Sequence, residues 1–133
     1  MILDSDMILC EGLAMTSTGT YTSTNVVDFG AAGVGHDAKV LITIPVAAVS
    51  SGSATVTFNI LTDDNSSFSS ATTLWTSGAL TYSTLTAGKT VVEFTLPFEV
   101  EQYIEVTAVV ATAALTAGTM TAYVDSARQT NGI

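Results

Sequence analysis

The segment Ala54-Thr55-Val56-Thr57-Phe58-Asn59-Ile60 alternates apolar and polar residues at every second position. Successive side chains of a β-strand point to opposite faces, so this period places the four apolar residues on one face and the three polar residues on the other. Such a strand has one face packed on a core and one face in water. The segment therefore predicts a half-buried strand of a β-sheet.

The same alternation recurs along the chain between short turns. Gly30–Gly35, Ser50–Ser53 and Asp63–Ser67 are rich in Gly, Ser, Asn and Asp, which favour turns. Ala87-Gly88-Lys89 and Ala117-Gly118 are typical of hairpin turns. We predict about eight strands, at Thr24–Phe29, Ala38–Val46, Ala54–Thr62, Thr72–Trp75, Leu80–Leu85, Thr90–Leu96, Tyr103–Ala111 and Thr119–Asp125.

About eight short strands with short connections predict an all-β fold, a two-sheet antiparallel β-sandwich of the jelly-roll kind. The length of 133 residues suits a single domain over residues 1–133. Residues 1–23 are a predicted N-terminal arm, because the hydroxyl-rich stretch 16–24 suits an extended arm or an edge strand. The apolar residues before that stretch either form a first strand or contact a partner. Residues 126–133 are a predicted mobile tail.

The composition is acidic and rich in hydroxyl side chains. The chain has 12 Asp and Glu against 3 Lys and Arg, a net charge of −9, and 23 Thr and 13 Ser. Proteins that bind nucleic acid need clustered Lys and Arg to replace the counterions of the phosphates. Lys39, Lys89 and Arg128 are scattered. We therefore expect no nucleic-acid partner.

Cysteine and histidine are too scarce for most catalytic and metal sites. Cys10 and His36 are single residues of their kinds, so the chain lacks the side chains for a disulfide, a structural zinc site or a Cys/His nucleophile pair. The composition favours a non-enzymatic module, with no metal and no cofactor expected.

The first residues do not match an export signal. Asp4 and Asp6 interrupt the apolar stretch, and no basic residue precedes it. The apolar run Val106–Leu115 is too short for a membrane-spanning helix, which takes about 20 residues. We therefore expect synthesis in a cytoplasm, a reduced Cys10 and no membrane partner.

Three patterns could carry chemistry, and each has a plainer explanation. Glu99, Glu101 and Glu105 could supply the carboxylate pair of a glycosidase, or they could blunt a solvated strand edge. Asp63-Asp64-Asn65 could be part of a calcium loop or a polar turn. Gly30–Gly35 lacks the Lys-Ser/Thr pair of a phosphate loop. One further set could form a sugar-stacking platform or pack in the core: Trp75, Tyr21, Tyr82, Tyr103 and Tyr123.

Several stretches of the chain resemble, in order, the jelly-roll capsid cement proteins of tailed bacteriophages. The resemblance begins with Met1-Ile2-Leu3-Asp4 and continues through residues 23–33 and 62–74. Farther along it includes Gly88 before a strand that ends Leu96-Pro97, then Gln102–Val106, Leu115–Ala122 and a tail with Asp125 and Arg128. It thus runs from one end of the sequence to the other.

The resemblance implies a cement or decoration protein on the outer capsid surface that clamps neighbouring major capsid protein subunits. It implies a virion location, the major capsid protein as partner, and self-association, with a homodimer favoured and a homotrimer possible. The alternative is a small carbohydrate- or host-surface-binding sandwich. The resemblance is densest at residues that either contact the capsid or are retained for turn geometry: Met1, Ile2, Leu3, Asp4, Asp28, Phe29, Asp63, Asp64, Asn65 and Phe68.

Overall fold

The computed structural model describes residues 8–28, 38–95 and 102–126. These residues form ten β-strands and one short 3-10 helix, Tyr82–Thr84. The strands are β1 (Ile8–Ala14), β2 (Gly19–Thr22), β3 (Val27–Asp28), β4 (Ala38–Ile44), β5 (Thr55–Asp63), β6 (Thr72–Thr76), β7 (Leu80–Thr81), β8 (Lys89–Thr95), β9 (Tyr103–Ala111) and β10 (Thr119–Ser126).

The strands form two antiparallel sheets. Sheet A has the order β1-β10-β4-β8, and sheet B has the order β2-β9-β5-β6, with β3 beside β9 and β7 beside β5. The first strand therefore lies beside the last, and the second lies beside the last but one. This order is the jelly-roll arrangement, in which the chain runs back and forth between two packed sheets. The predicted antiparallel β-sandwich is confirmed.

The core lies between the sheets and takes its side chains from both. On β5, Val56, Phe58 and Ile60 are fully buried, and the residues between them are half-buried, as the alternation predicts. Ile42 of β4 and Met120 of β10 join the same hydrophobic cluster from sheet A. Each such side chain contributes roughly 1.5–3 kcal/mol through removal of apolar surface from water.

The N-terminal segment differs from the predicted arm. Residues 8–14 form β1, an edge strand of sheet A, and residues 19–22 form β2, an edge strand of sheet B. Leu9 and Met15 are fully buried. Because apolar side chains of this segment complete the core, its described part is integrated in the sandwich as a first strand. Residues 1–7 and 127–133, which include most of the predicted tail, lie outside the described residues.

Two predicted strands are shorter than expected, and side-chain hydrogen bonds explain both. In the described part of the predicted strand Thr24–Phe29, pairing begins only at Val27, because the Ser23 hydroxyl donates to the Asn25 carbonyl and accepts from the Val106 amide. Phe29 lies outside the described residues. In place of Leu80–Leu85, pairing ends at Thr81, whose carbonyl accepts from the hydroxyl of Thr84. Hydroxyl side chains thus replace ladder bonds and turn the backbone.

Within the described ranges, no helix is long and apolar enough to cross a membrane.

Candidate interaction surface

The outward side chains of β5 and β9 form one face, which we call the outer face of sheet B. Most of them are half-buried, and Asp63, Glu105 and Thr107 are buried. The two strands pair over their whole length, so their outward residues stand in cross-strand pairs such as Asn59 opposite Thr107 and Leu61 opposite Glu105. The Asn59 amide donates to the Thr107 hydroxyl over 3.3 Å. The outward residues are Thr55, Thr57, Asn59, Leu61 and Asp63 on β5, and Tyr103, Glu105, Thr107, Val109 and Ala111 on β9.

Charge is distributed unevenly between the two sheets. The strands of sheet B contain Asp28, Asp63 and Glu105 and no Lys, Arg or His. The two described lysines, Lys39 and Lys89, both lie in sheet A, where Lys39 Nζ is 3.0 Å from an oxygen of Glu93. Sheet B therefore carries acidic groups that no basic residue of its own strands balances.

The buried Asp63 carboxylate organises the loop that follows β5. One of its oxygens accepts from the Asp64 amide over 2.7 Å, and the other accepts from the Ser70 amide over 2.9 Å. The hydrogen bond from Ser70 is the largest cause that holds the pKa of Asp63 below its ordinary value, and desolvation opposes it. The carboxylate therefore serves as the loop's internal anchor.

The rest of this loop is a polar turn. The Asn65 side-chain oxygen accepts from the amide and the hydroxyl of Ser67, both over 2.9 Å. Phe68 has a φ of 54°, and its amide donates to the Asn65 carbonyl. No group of three His, Cys, Asp or Glu that could hold a metal occurs in the described ranges. The geometry is that of the polar turn, which was the plainer of the two interpretations of Asp63-Asp64-Asn65.

Asp28 lies at the same end of sheet B as this loop. By register, Asp28 of β3 and Asp63 of β5 flank Tyr103 of β9. The Gln102 side-chain amide donates to Asp28 over 3.1 Å and to the Tyr103 hydroxyl over 3.3 Å. The structure thus places Asp28 and the loop after β5 at one end of sheet B. Of the loop's predicted contact residues, Asp64 and Asn65 are exposed, whereas Phe68 is half-buried. The predicted contact residues Met1, Ile2, Leu3, Asp4 and Phe29 lie outside the described residues.

Glu105 is the unusual residue of the outer face of sheet B. It lies on β9, with the inward Ile104 and Val106 on either side, and only 9% of its surface is exposed. Among the described residues, none forms a hydrogen bond or ion pair with its carboxylate. Desolvation raises its pKa above the ordinary value. In the sequence, Glu105 stands out only together with Glu99 and Glu101, as a possible carboxylate pair or a charged strand edge. Glu99 and Glu101 lie outside the described residues.

A family model with the description Bbp16 matches residues 9–124, from the second residue of β1 to the inward Val124 of β10. The chain belongs to the Bbp16 family. The match includes both sheets and the whole outer face of sheet B, so the surface described above is part of the Bbp16 region. No curated protein matches the chain.

The aromatic residues of this Bbp16 chain do not lie on one face. Tyr21, Trp75 and Tyr82 pack against the core cluster. Tyr103 lies on the outer face of sheet B, whereas Tyr123 is an outward residue of sheet A, opposite Leu41. The structure therefore does not assemble these five residues into the stacking platform that the sequence left open.

Cys10 is a buried residue of the Bbp16 core. Its thiol donates to the Met120 carbonyl over 3.8 Å, and desolvation raises its pKa to about 11. A nucleophilic cysteine needs a thiolate, and a raised pKa disfavours that form near neutral pH. Cys10 is therefore a packing residue. His36 lies outside the described residues.

A small apolar patch lies at the other end of the Bbp16 sandwich. Val46 and Val49 are about half exposed, with 49% and 48% of their surfaces accessible. Their loop is fixed by backbone hydrogen bonds, from Thr116 to Val49 over 2.7 Å and from Val49 to Ala117 over 3.0 Å. This patch is too small to define a partner by itself.

Proposed function

We propose that the protein is a structural virion protein, a cement or decoration protein that binds the outer surface of a phage capsid. It would clamp neighbouring major capsid protein subunits and so stabilise the head. The observation that carries the proposal is the resemblance of successive sequence stretches to jelly-roll cement proteins, together with the jelly-roll strand order of the folded chain. The name of the Bbp16 family, which suggests a phage-related protein, supports it further.

The charge and surface chemistry are compatible with an exterior position. A net charge of −9 is repelled by packaged DNA, so such a protein suits the outside of the shell. Beside Glu105, the outer face of sheet B has the half-buried Thr55, Thr57 and Asn59, uncharged side chains that can form hydrogen bonds without the desolvation cost of ions. This surface supports a contact with another protein.

Firm attachment does not require a tight single contact. We propose a homo-oligomer, with a dimer preferred over a trimer, whose copies bind neighbouring capsid subunits. Once one copy is bound, the next contact forms at a high effective concentration. Several contacts of micromolar affinity then hold the oligomer on the shell.

Co-sedimentation with capsids tests the proposal. Purified protein is mixed with expanded heads that lack it and, as the control, with unexpanded shells of the same capsid protein. The expected result is saturation on expanded heads at a fixed ratio to the major capsid protein. Heads that gain resistance to heat on saturation would further support the clamping role. Absence of binding to both kinds of particle would refute the proposal.

A further inference from the structure

We propose that the outer face of sheet B is the docking surface, and that Glu105 receives a lysine or arginine side chain of the partner protein there. This inference rests on the proposed function, in which the partner is the major capsid protein. It deepens that function by naming the face, the residue and the chemistry of contact.

Glu105 is a largely covered acid on the outer face of sheet B. A buried carboxylate is costly unless hydrogen bonds or a cation compensate it, and buried acids in proteins are therefore usually paired. Glu105 has 91% of its surface covered and no partner among the described residues. Within the described residues, neither a cation nor a hydrogen-bond donor compensates this carboxylate.

The Glu105 carboxylate can be reached from outside the sandwich. In the described part of the chain, every fully enclosed side-chain oxygen or nitrogen has a hydrogen-bond partner. Glu105 has none, so its oxygens are not fully enclosed and keep contact with solvent. Because alternate residues of β9 share a face, Glu105 points outward with Tyr103 and Thr107. A long cationic side chain from a docked protein can therefore reach it.

The strands of sheet B combine acidic residues with an apolar side chain opposite Glu105. The other acids of the sheet B strands are Asp28 and Asp63, at the end of the sheet next to Tyr103, and these strands contain no base. Acidic residues on strands that contain no basic residue create a negative potential that attracts a positive group. Leu61, directly opposite Glu105, offers apolar surface to the methylene stem of a lysine or arginine.

A second copy of this chain is poorly suited to supply the cation that pairs with Glu105. The chain has 3 basic residues, and Lys39 is already paired with Glu93. Two chains that each carry a charge of −9 would also bring two acidic faces together. Charge complementarity therefore favours a partner with a positive surface over a contact between two sheet B faces.

The test compares Glu105→Gln with Glu11→Gln. Both substitutions remove one negative charge, but Glu11 is an exposed residue of β1 in sheet A. Binding to expanded heads is measured by co-sedimentation, and Tm is measured on the free protein. We expect Glu105→Gln to weaken head binding by at least about thirtyfold, because the substitution removes one partner of a charge pair that docking would bury. Glu11→Gln should stay within about twofold of the wild type, as a rim charge does.

The Tm of the free protein separates docking from a structural role. If Glu105 awaits a partner, Glu105→Gln removes an uncompensated charge, so Tm stays the same or rises while head binding falls. A fall in Tm together with a fall in binding would identify a structural role and overturn the inference.

Two further outcomes separate this inference from the proposed function. Wild-type binding with unchanged binding of Glu105→Gln would overturn the docking assignment alone, whereas absence of wild-type binding would refute the cement function itself. Loss of self-association in Glu105→Gln with unchanged head binding would assign Glu105 to a contact between copies, and would likewise overturn the inference.

Discussion

Asp63 and Glu105 are two buried acids of sheet B whose carboxylates are in opposite states. Asp63 has both oxygens bonded to backbone amides, from Asp64 and Ser70, and its pKa is lowered. Glu105 has no partner among the described residues, and its pKa is raised. The comparison teaches that burial of an acid does not by itself define its role. A satisfied carboxylate holds the fold together, whereas an unsatisfied one is a cost that a partner can relieve.

The largest effect is expected for Asp63→Ala. This change leaves the amides of Asp64 and Ser70 without their acceptor, so the loop loses its anchor. We expect a fall of several degrees in Tm and faster hydrogen exchange at these two amides, measured by thermal unfolding and NMR.

Ser66→Ala is the matched control for this change. Ser66 is exposed in the same loop, and its side chain has no hydrogen bond within the described residues. Its Tm should equal that of the wild type. If Asp63→Ala unfolds at the wild-type temperature as well, the two buried acids do not differ in the way described here.

A smaller effect on the free energy of unfolding is expected from a change in pH, and it has opposite signs at Asp63 and Glu105. The folded pKa of Asp63 lies below its ordinary value of 3.8, so its stabilisation is present above that pH and is lost as pH falls through the lower folded value. The folded pKa of Glu105 lies above its ordinary value of 4.5, so its favourable contribution is present below that pH and is lost as pH rises through the raised folded value.

Two variants measured from about pH 3 to 7 isolate these contributions. The Tm advantage of the wild type over Asp63→Asn should shrink as the pH falls below 3.8. The Tm advantage of Glu105→Gln over the wild type should be close to zero below pH 4.5 and should grow above it, and it stays small near neutrality because solvent still reaches the carboxylate. When both differences in Tm are taken as wild type minus variant, they should change with pH in opposite directions, and a change in the same direction would contradict the contrast between the acids.

The smallest effect is expected for Glu93→Gln in sheet A. Glu93 pairs with Lys39 over 3.0 Å, but its side chain is 54% exposed. Exposed ion pairs contribute little, so the free energy of unfolding should fall by about 0.2–0.5 kcal/mol at low salt and less at high salt. Denaturant unfolding at two salt concentrations checks this. A salt-independent loss of several kcal/mol would show that surface pairing stabilises this sandwich as strongly as the anchored carboxylate.

Much of the sandwich could be predicted from the sequence because alternation directly reports a half-buried strand. Ala54–Ile60 shows this well, since its apolar residues are the buried ones of β5. The strand ends at Ser23 and Thr81 could not be predicted in the same way. There, hydrogen bonds to hydroxyl side chains compete with the ladder, and the residue pattern does not reveal which bond is formed.

The candidate surface was less predictable than the fold. The outward position of Glu105 follows from the alternation around it, because Ile104 and Val106 are apolar. Its burial does not follow, since the side chains that cover an outward residue come from neighbouring strands far away in sequence. The neighbourhood of Leu61 and Glu105 depends on the register of β5 against β9, which only the folded structure supplies.

The pairing of β1 with β10 also constrains when the chain can fold. Sheet A places Ile8 opposite Tyr123, and β10 separates β1 from β4. A nascent chain on the ribosome therefore cannot complete this sheet until residues 119–126 have been synthesised, because β1 has no neighbour before then. Folds dominated by such distant pairings form in milliseconds to seconds, more slowly than folds with local contacts. The folded sandwich thus arises only after synthesis of the last strand, and the edge of β4 stays open to aggregation until β10 covers it.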